Sequence, residues 1–245
     1  MKDHFSTISE KYAKFRPDYP QTIYDFLYPL LSQKDSAWDC GTGNGQVALE
    51  LAKDFQSVEA TDLSPQQLKH APPADNIRYS VQGAEHTTFA DDSFDLITVA
   101  QAVHWFDFDK FNTEVKRVGR PNSIIALFGY ELNTITPEID AIVRYLYKDI
   151  VGAYWDPERK HIEDNYQNIP FPYRELESPE ITNIKLWRID HLIGYLNTWS
   201  ATQQYKKAKG SNPVELIEAD LRKVWGTAEV RKVCFPIIFR VGRIK

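Results

Sequence analysis

The sequence is poor in cysteine: Cys40 and Cys234 stand far apart, each inside an apolar, strand-like stretch. Two thiols so spaced make neither a zinc site nor a disulfide framework, and both read as small buried hydrophobes; no metal is expected. No apolar run approaches the roughly 20 residues of a membrane-spanning helix, which points to a soluble chain with no membrane partner. The opening Met1-Lys2-Asp3-His4-Phe5-Ser6 lacks a basic region followed by an apolar run, so it reads as part of the fold and a cytoplasmic location is expected. A basic excess is missing too: 29 Lys and Arg face 34 Asp and Glu, a formal net charge of −5, which argues against nucleic acid as a partner. The nearest thing to a basic cluster, Lys206-Lys207-Ala208-Lys209, reads as a solvated helix face ending at Gly210. Internal repeats and low-complexity tracts are absent.

What the chain does have is an alternation of strand and helix signals, in 245 residues that suffice for one large α/β domain with a small cap. A strand-like 37–40 runs into a glycine-rich turn and a helix over 46–55, whose Val47, Leu49, Leu51, Ala52 and Phe55 suit packing on a sheet. A second strand over 57–61 ends at Asp62; Ser64 and Pro65 then supply the N-cap and first-turn proline of a helix that Pro72-Pro73 stops. Strands follow at 77–81 and 94–100, a helix at 108–118 and a strand at 123–128. After Gly129 the rhythm breaks. Residues 130–177 hold one helix, 139–151, then Tyr154, Trp155, Tyr166, Pro170, Phe171, Pro172 and Tyr173, a cap insertion of the kind that usually carries function. A strand at 181–189, helices at 191–199 and 213–225, and a strand at 230–241 complete the pattern, with Pro236 marking a bulge or an unpaired edge. The expectation is a single domain: an N-terminal helical lid over 1–35, a core over 36–129, a helical and aromatic cap over 130–177, and the rest of the sheet with helices over 178–245. Such an order implies an α/β fold with a doubly wound, mostly parallel seven-stranded sheet, whose ligand lies outside the carboxyl ends of the strands.

A strand ending at Asp39 and followed by Gly41, Gly43 and Gly45 brings bare backbone against a ligand where a helix begins. A dinucleotide, a phosphate or a sulfonium nucleoside could sit there, and a plain structural turn stays open. The dinucleotide fingerprint wants a glycine where Gln46 stands, and a phosphate loop wants Gly-Lys-Ser/Thr, which is absent. Asp39 at the loop entrance would repel a pyrophosphate yet could balance an ammonium or sulfonium. Asp62 could accept hydrogen bonds from two ribose hydroxyls. In Gly83-Ala84-Glu85 the glycine lets a base approach, and an acidic group or backbone amide could read the adenine amino group.

With Asp39-x-Gly41-x-Gly43-x-Gly45, Asp62, Ala84-Glu85 and Phe94-Asp95-Leu96-Ile97 in this order, the chain resembles the class I S-adenosylmethionine-dependent methyltransferases over roughly 36–129. Tyr12-Ala13-Lys14-Phe15-Arg16-Pro17-Asp18-Tyr19-Pro20 and Ala100-Gln101-Ala102-Val103-His104-Trp105-Phe106-Asp107 look like the small-molecule subgroup that includes trans-aconitate methyltransferase. The resemblance implies S-adenosyl-L-methionine as cofactor, with Asp39, Gly41, Thr42, Gly43 and Gly45 around its methionine part. Asp62 would hold the ribose, Leu63 would lie against the base, and Ala84 and Glu85 would sit at the adenine. Gln101 and His104 would face the methyl group, and Tyr12 and Arg16 would fold over the site.

Methyl transfer from a sulfonium is an in-line displacement, so alignment and desolvation can supply most of the acceleration. A carboxylate acceptor needs no base but wants cationic or hydrogen-bonding groups, for which Arg16, His104, Arg144, Arg159 and Arg174 are candidates. A hydroxyl or amine acceptor would instead use His104 as general base. O-methylation of a small carboxylic acid is the favoured expectation. The alternatives are a hydroxyl or amine acceptor, a nicotinamide-dependent oxidoreductase on the same topology, and an adenosyl-binding module without turnover.

Overall fold

The computed structural model describes residues 14–245. Five parallel strands build the first part of the sheet: β1 (Ser36–Cys40), β2 (Ser57–Asp62), β3 (Ile77–Val81), β4 (Phe94–Ala100) and β5 (Gly119–Tyr130). The last strand, β8 (Arg231–Arg243), lies antiparallel to β5, and its outer edge carries two separate pieces. The short β6 (Arg174–Leu176) pairs with 241–243 and β7 (Ile181–Trp187) with 231–237. The sheet order is therefore β3-β2-β1-β4-β5-β8, with β6 and β7 sharing the final position. This is the mostly parallel, seven-position, Rossmann-like sheet that the strand rhythm implies.

Alternation along the strands sorts side chains onto two faces. Trp38, Ile97, Val99, Ile125 and Leu127 pack on one face with Phe111, Val115 and Val118 of α4 (Phe108–Val118). On the other face Ala37, Leu96, Ile124, Ala126 and Phe128 meet Ile23 and Leu27 of α1 (Gln21–Leu27) and Val47 and Leu51 of α2 (Gln46–Leu51). Helix α2 is shorter than the apolar spacing over 46–55 suggests, because Ala52–Asp54 form a turn while Phe55 alone stays buried. Helix α3 (Pro65–Lys69) starts as its sequence dictates, with the Ser64 hydroxyl accepting from the Gln67 N–H at 3.3 Å. The residues at Pro236 keep their register with β7, and the ladder to β5 ends one residue away at Tyr130–Ile237. The missing proline N–H thus falls where β5 stops.

A third core lies beyond the end of the sheet. Helix α5 (Pro137–Tyr145), capped by Thr136, continues into a wider turn over Leu146–Ile150, and the short α6 (Lys160–Glu163) follows. Ile139, Val143, Leu146 and Tyr147 do not form a core by themselves. They pack with residues of α7 (Ile189–Asn197) and α9 (Glu215–Trp225), while Trp199 and Ala201 bring in α8 (Ser200–Lys209). Residues 130–177 thus share their core with chain remote in sequence, which supplies most of its buried residues. Among the described residues no helix is long and apolar enough to cross a membrane, and no group of His, Cys, Asp and Glu could hold a metal ion.

Candidate active site

At the carboxyl end of β1 the backbone turns through Gly41 with φ +70° and Gly43 with φ +57° before α2 begins. A Cβ at Gly41 would stand 2.7 Å from the Cβ of Ala102, so a side chain there would force apart the two loops that follow β1 and β4. Thr42 donates its N–H to the Thr61 carbonyl at 2.9 Å, and Gly43 donates to Asp62 Oδ2 at 2.9 Å. Asp62 Oδ1 accepts from the Ser64 N–H at 2.8 Å. Asp62 thus ties the loop after β1 to the end of β2 while its carboxylate stands in the wall of the space these loops surround.

These loops enclose a cavity of about 270 Å³ outside the carboxyl ends of β1, β2, β4 and β5, a size suited to a small molecule. Gly41, Thr42, Gly43, Asp62, Leu63, Ala84, Gln101 and Arg16 line it, each singled out in the sequence. Tyr12 lies outside the described residues. Asp39 is not on the wall: it is fully buried beneath the loop, where the hydroxyls of Thr42 and Thr98 donate to its carboxylate. Burial pushes Asp39 up to about 6 despite those two donors. Gly45 is also behind the wall, as the residue from which α2 starts. Glu85 turns aside and accepts the Asp107 N–H at 3.1 Å, so it serves the start of α4. Asp95 sits at the opposite end of the sheet, where it receives the N–H groups of Asp35 and Ser36 and the Arg120 guanidinium.

Several wall residues escaped the sequence reading. Trp105 and Phe106 are among them, and Phe106 is buried while still facing the cavity. Tyr130 gave no local signal, because its place depends on where β5 ends relative to the cap.

A second, smaller cavity of about 50 Å³ adjoins the first and shares Arg16, Gln101, Trp105 and Tyr130 with it. His104 lines this one rather than the larger cavity. It is 5% exposed, its ring lies beside Trp105 and Tyr166, and its Nδ1 has no hydrogen-bond partner. Burial, then the positive charge of Arg159 and of His161, lowers His104 to about 3, so the imidazole is neutral. Arg16 crosses between layers: Nη1 donates to the Tyr130 hydroxyl at 2.8 Å and Nη2 to the Thr198 carbonyl at 3.1 Å. Arg159 lies over the rings of Tyr147 and Trp155 and donates from Nε to the Tyr147 hydroxyl at 2.9 Å. No carboxylate among the described residues pairs with it. Arg144 and Arg174 line neither cavity.

Comparison with known proteins bears on this site. The methyltransferase-domain family matches residues 38–127, which span the loop, Asp62 and β4. A Dictyostelium discoideum protein described as a methyltransferase is 35% identical over 243 residues, covering 96% of this chain and 92% of its own. A solved structure from Anaeromyxobacter dehalogenans, described as a type II methyltransferase, is 40% identical with a TM-score of 0.86, covering 94% of this chain and 98% of its own. A Saccharomyces cerevisiae protein described as an S-adenosylmethionine-dependent methyltransferase is 26% identical over 175 residues, 64% of this chain and 59% of its own.

Proposed function

Because this chain belongs to the S-adenosylmethionine-dependent methyltransferases, we propose that it methylates a small carboxylic acid on oxygen, with the second cavity as the acceptor site. The larger cavity fits the cofactor: positive-φ glycines open it, Asp62 places a carboxylate in its wall where a ribose would lie, and Leu63 and Ala84 give apolar wall for a base. Bound there, S-adenosylmethionine would supply a methyl carbon on a sulfonium; a carboxylate oxygen would bond to that carbon as the C–S bond broke with its electron pair left on sulfur, so no residue would have to remove a proton.

The observation that carries the acceptor assignment is Arg159, a guanidinium lying over two adjacent aromatic rings at a small cavity, with only a tyrosine hydroxyl as its hydrogen-bond partner among the described side chains. An anion is the chemical complement of such a group. Arg16 adds a second guanidinium where the two cavities meet. The walls contributed by Trp105, Trp155, Tyr195 and Trp199 exclude water and favour a compact organic acid.

A hydroxyl or amine acceptor would need His104 to take a proton. Held near 3, His104 is a weak base at neutral pH, which favours an acceptor that is already deprotonated. Family membership also replaces the nicotinamide alternative. The test is transfer of a radiolabelled methyl group to a panel of small acids, phenols and amines. A base-labile product from the acids is expected; a base-stable product formed only from phenols or amines would overturn the carboxylate assignment.

A further inference from the structure

Gln101 follows directly on β4 and holds a left-handed backbone with φ +54°, while its N–H still donates to the Phe128 carbonyl at 2.8 Å. A residue other than glycine in that conformation costs roughly 1 kcal/mol, and such strain persists where the surroundings enforce it. The bend delivers the side chain to the junction of the two cavities, which it lines on both sides.

The amide is fixed there in one orientation. Its Oε1 accepts the Tyr130 N–H at 2.8 Å, and a backbone N–H can only donate, so oxygen and nitrogen cannot be exchanged. Strand β5 leaves space for this arrangement at Gly129, where a Cβ would come within 2.5 Å of Gln101 Oε1 and 2.8 Å of the Tyr166 hydroxyl. Nε2 makes no hydrogen bond within the described residues, and it is not among the enclosed unpartnered atoms. The junction is thus offered a donor, with the amide oxygen already used.

We propose that Gln101 is a specificity-determining residue of the transfer site: Nε2 orients an acceptor oxygen that carries lone pairs only, and disfavours an amine or ammonium, which would need an oxygen to donate to. This rests on the carboxylate reading above but concerns how the acceptor is held. Gln101→Glu keeps an oxygen for the Tyr130 N–H and turns a second oxygen to the junction, so it reverses the selection at nearly constant shape. Gln101→Met removes the donor without adding charge.

The experiment measures binding of benzoate, crotonate and succinate, and of benzylamine and butylamine, to protein saturated with S-adenosylhomocysteine. Thermal denaturation reports folding, and the affinity for S-adenosylhomocysteine alone is measured in parallel. Binding of at least one acid is expected to weaken about 10-fold in Gln101→Met and about 100-fold in Gln101→Glu. Gln101→Glu is also expected to gain amine binding, which structural damage would not produce. Unchanged acid binding in both variants, no acid bound by the wild-type complex, or an equal loss of S-adenosylhomocysteine affinity would each overturn the proposal. Selective loss of acid binding, in a protein that esterifies none of these acids, would support the Gln101 assignment and overturn carboxylate methylation.

Discussion

Asp39 shows how one residue can matter to a site it does not line. Its carboxyl, held at about 6 by burial, keeps its proton in the folded protein at pH values where an unfolded chain, near 3.8, has lost it. Between those values the folded state binds more protons, so the group's contribution is greatest below about pH 4 and is lost as the pH rises through 6. The loss amounts to about 3 kcal/mol. Asp39→Asn should therefore flatten the stability of the ligand-free protein between pH 4 and 7, as followed by urea denaturation. A variant retaining the full pH slope would assign it to other groups. The sequence placed Asp39 at the loop entrance, but could not reveal that Thr42 and Thr98 turn its charge inward, because Thr98 lies on a different strand.

At the scale of elements, Asp95 ties the start of the sheet together. It accepts from the N–H groups of Asp35 and Ser36, from Gln33 Nε2 and from Arg120, four donors on two segments remote from it in sequence. Asp95→Ala would leave those donors half-buried without an acceptor and should cost about 2–4 kcal/mol in urea denaturation, with S-adenosylhomocysteine affinity preserved. A smaller cost would mean that water replaces the carboxylate. Strands β1 to β5 and helix α4 were legible because apolar period, caps and glycine punctuation agree there. The role of Asp95 was not: the strand over 94–100 places it at the strand's start, but its donors come from 33–36 and from Arg120, which only the fold brings together. The cap was read only in part: helices at 191–199 and 213–225 are legible, but only packing shows that Trp187, Tyr195 and Trp199 share a core with Leu146 and Tyr147.

Over the whole molecule, the cap communicates with the cavities through the segment that carries Arg16. Phe15 sits against Gly194 of α7, where a Cβ would come within 2.4 Å of its ring, and makes an edge contact with His191. Alanine is the better helix former by about 1 kcal/mol, which offsets the Phe15 packing lost to the new Cβ, so Gly194→Ala should leave the melting temperature little changed. The same change displaces Phe15, and with it Arg16, and should weaken S-adenosylhomocysteine binding several-fold in calorimetry. Unaltered binding would show that Arg16 is held without the Phe15 seat.

The divided outer edge of the sheet has a consequence for behaviour in concentrated solution. A long straight edge offers unpaired backbone groups to any passing chain. Here β6 provides three residues and β7 seven, and across the break the Ser178 hydroxyl donates to the Phe239 carbonyl at 2.9 Å. Pro179 lies in the same break and has no N–H to lend. Along β7, Lys185 reaches the Asp18 carboxylate and Asn183 donates to the Asp18 carbonyl, so chain from before α1 lies beside that rim. A stray strand thus meets an edge broken between β6 and β7 instead of one continuous run, which limits the length of edge-to-edge pairing on this side of the protein.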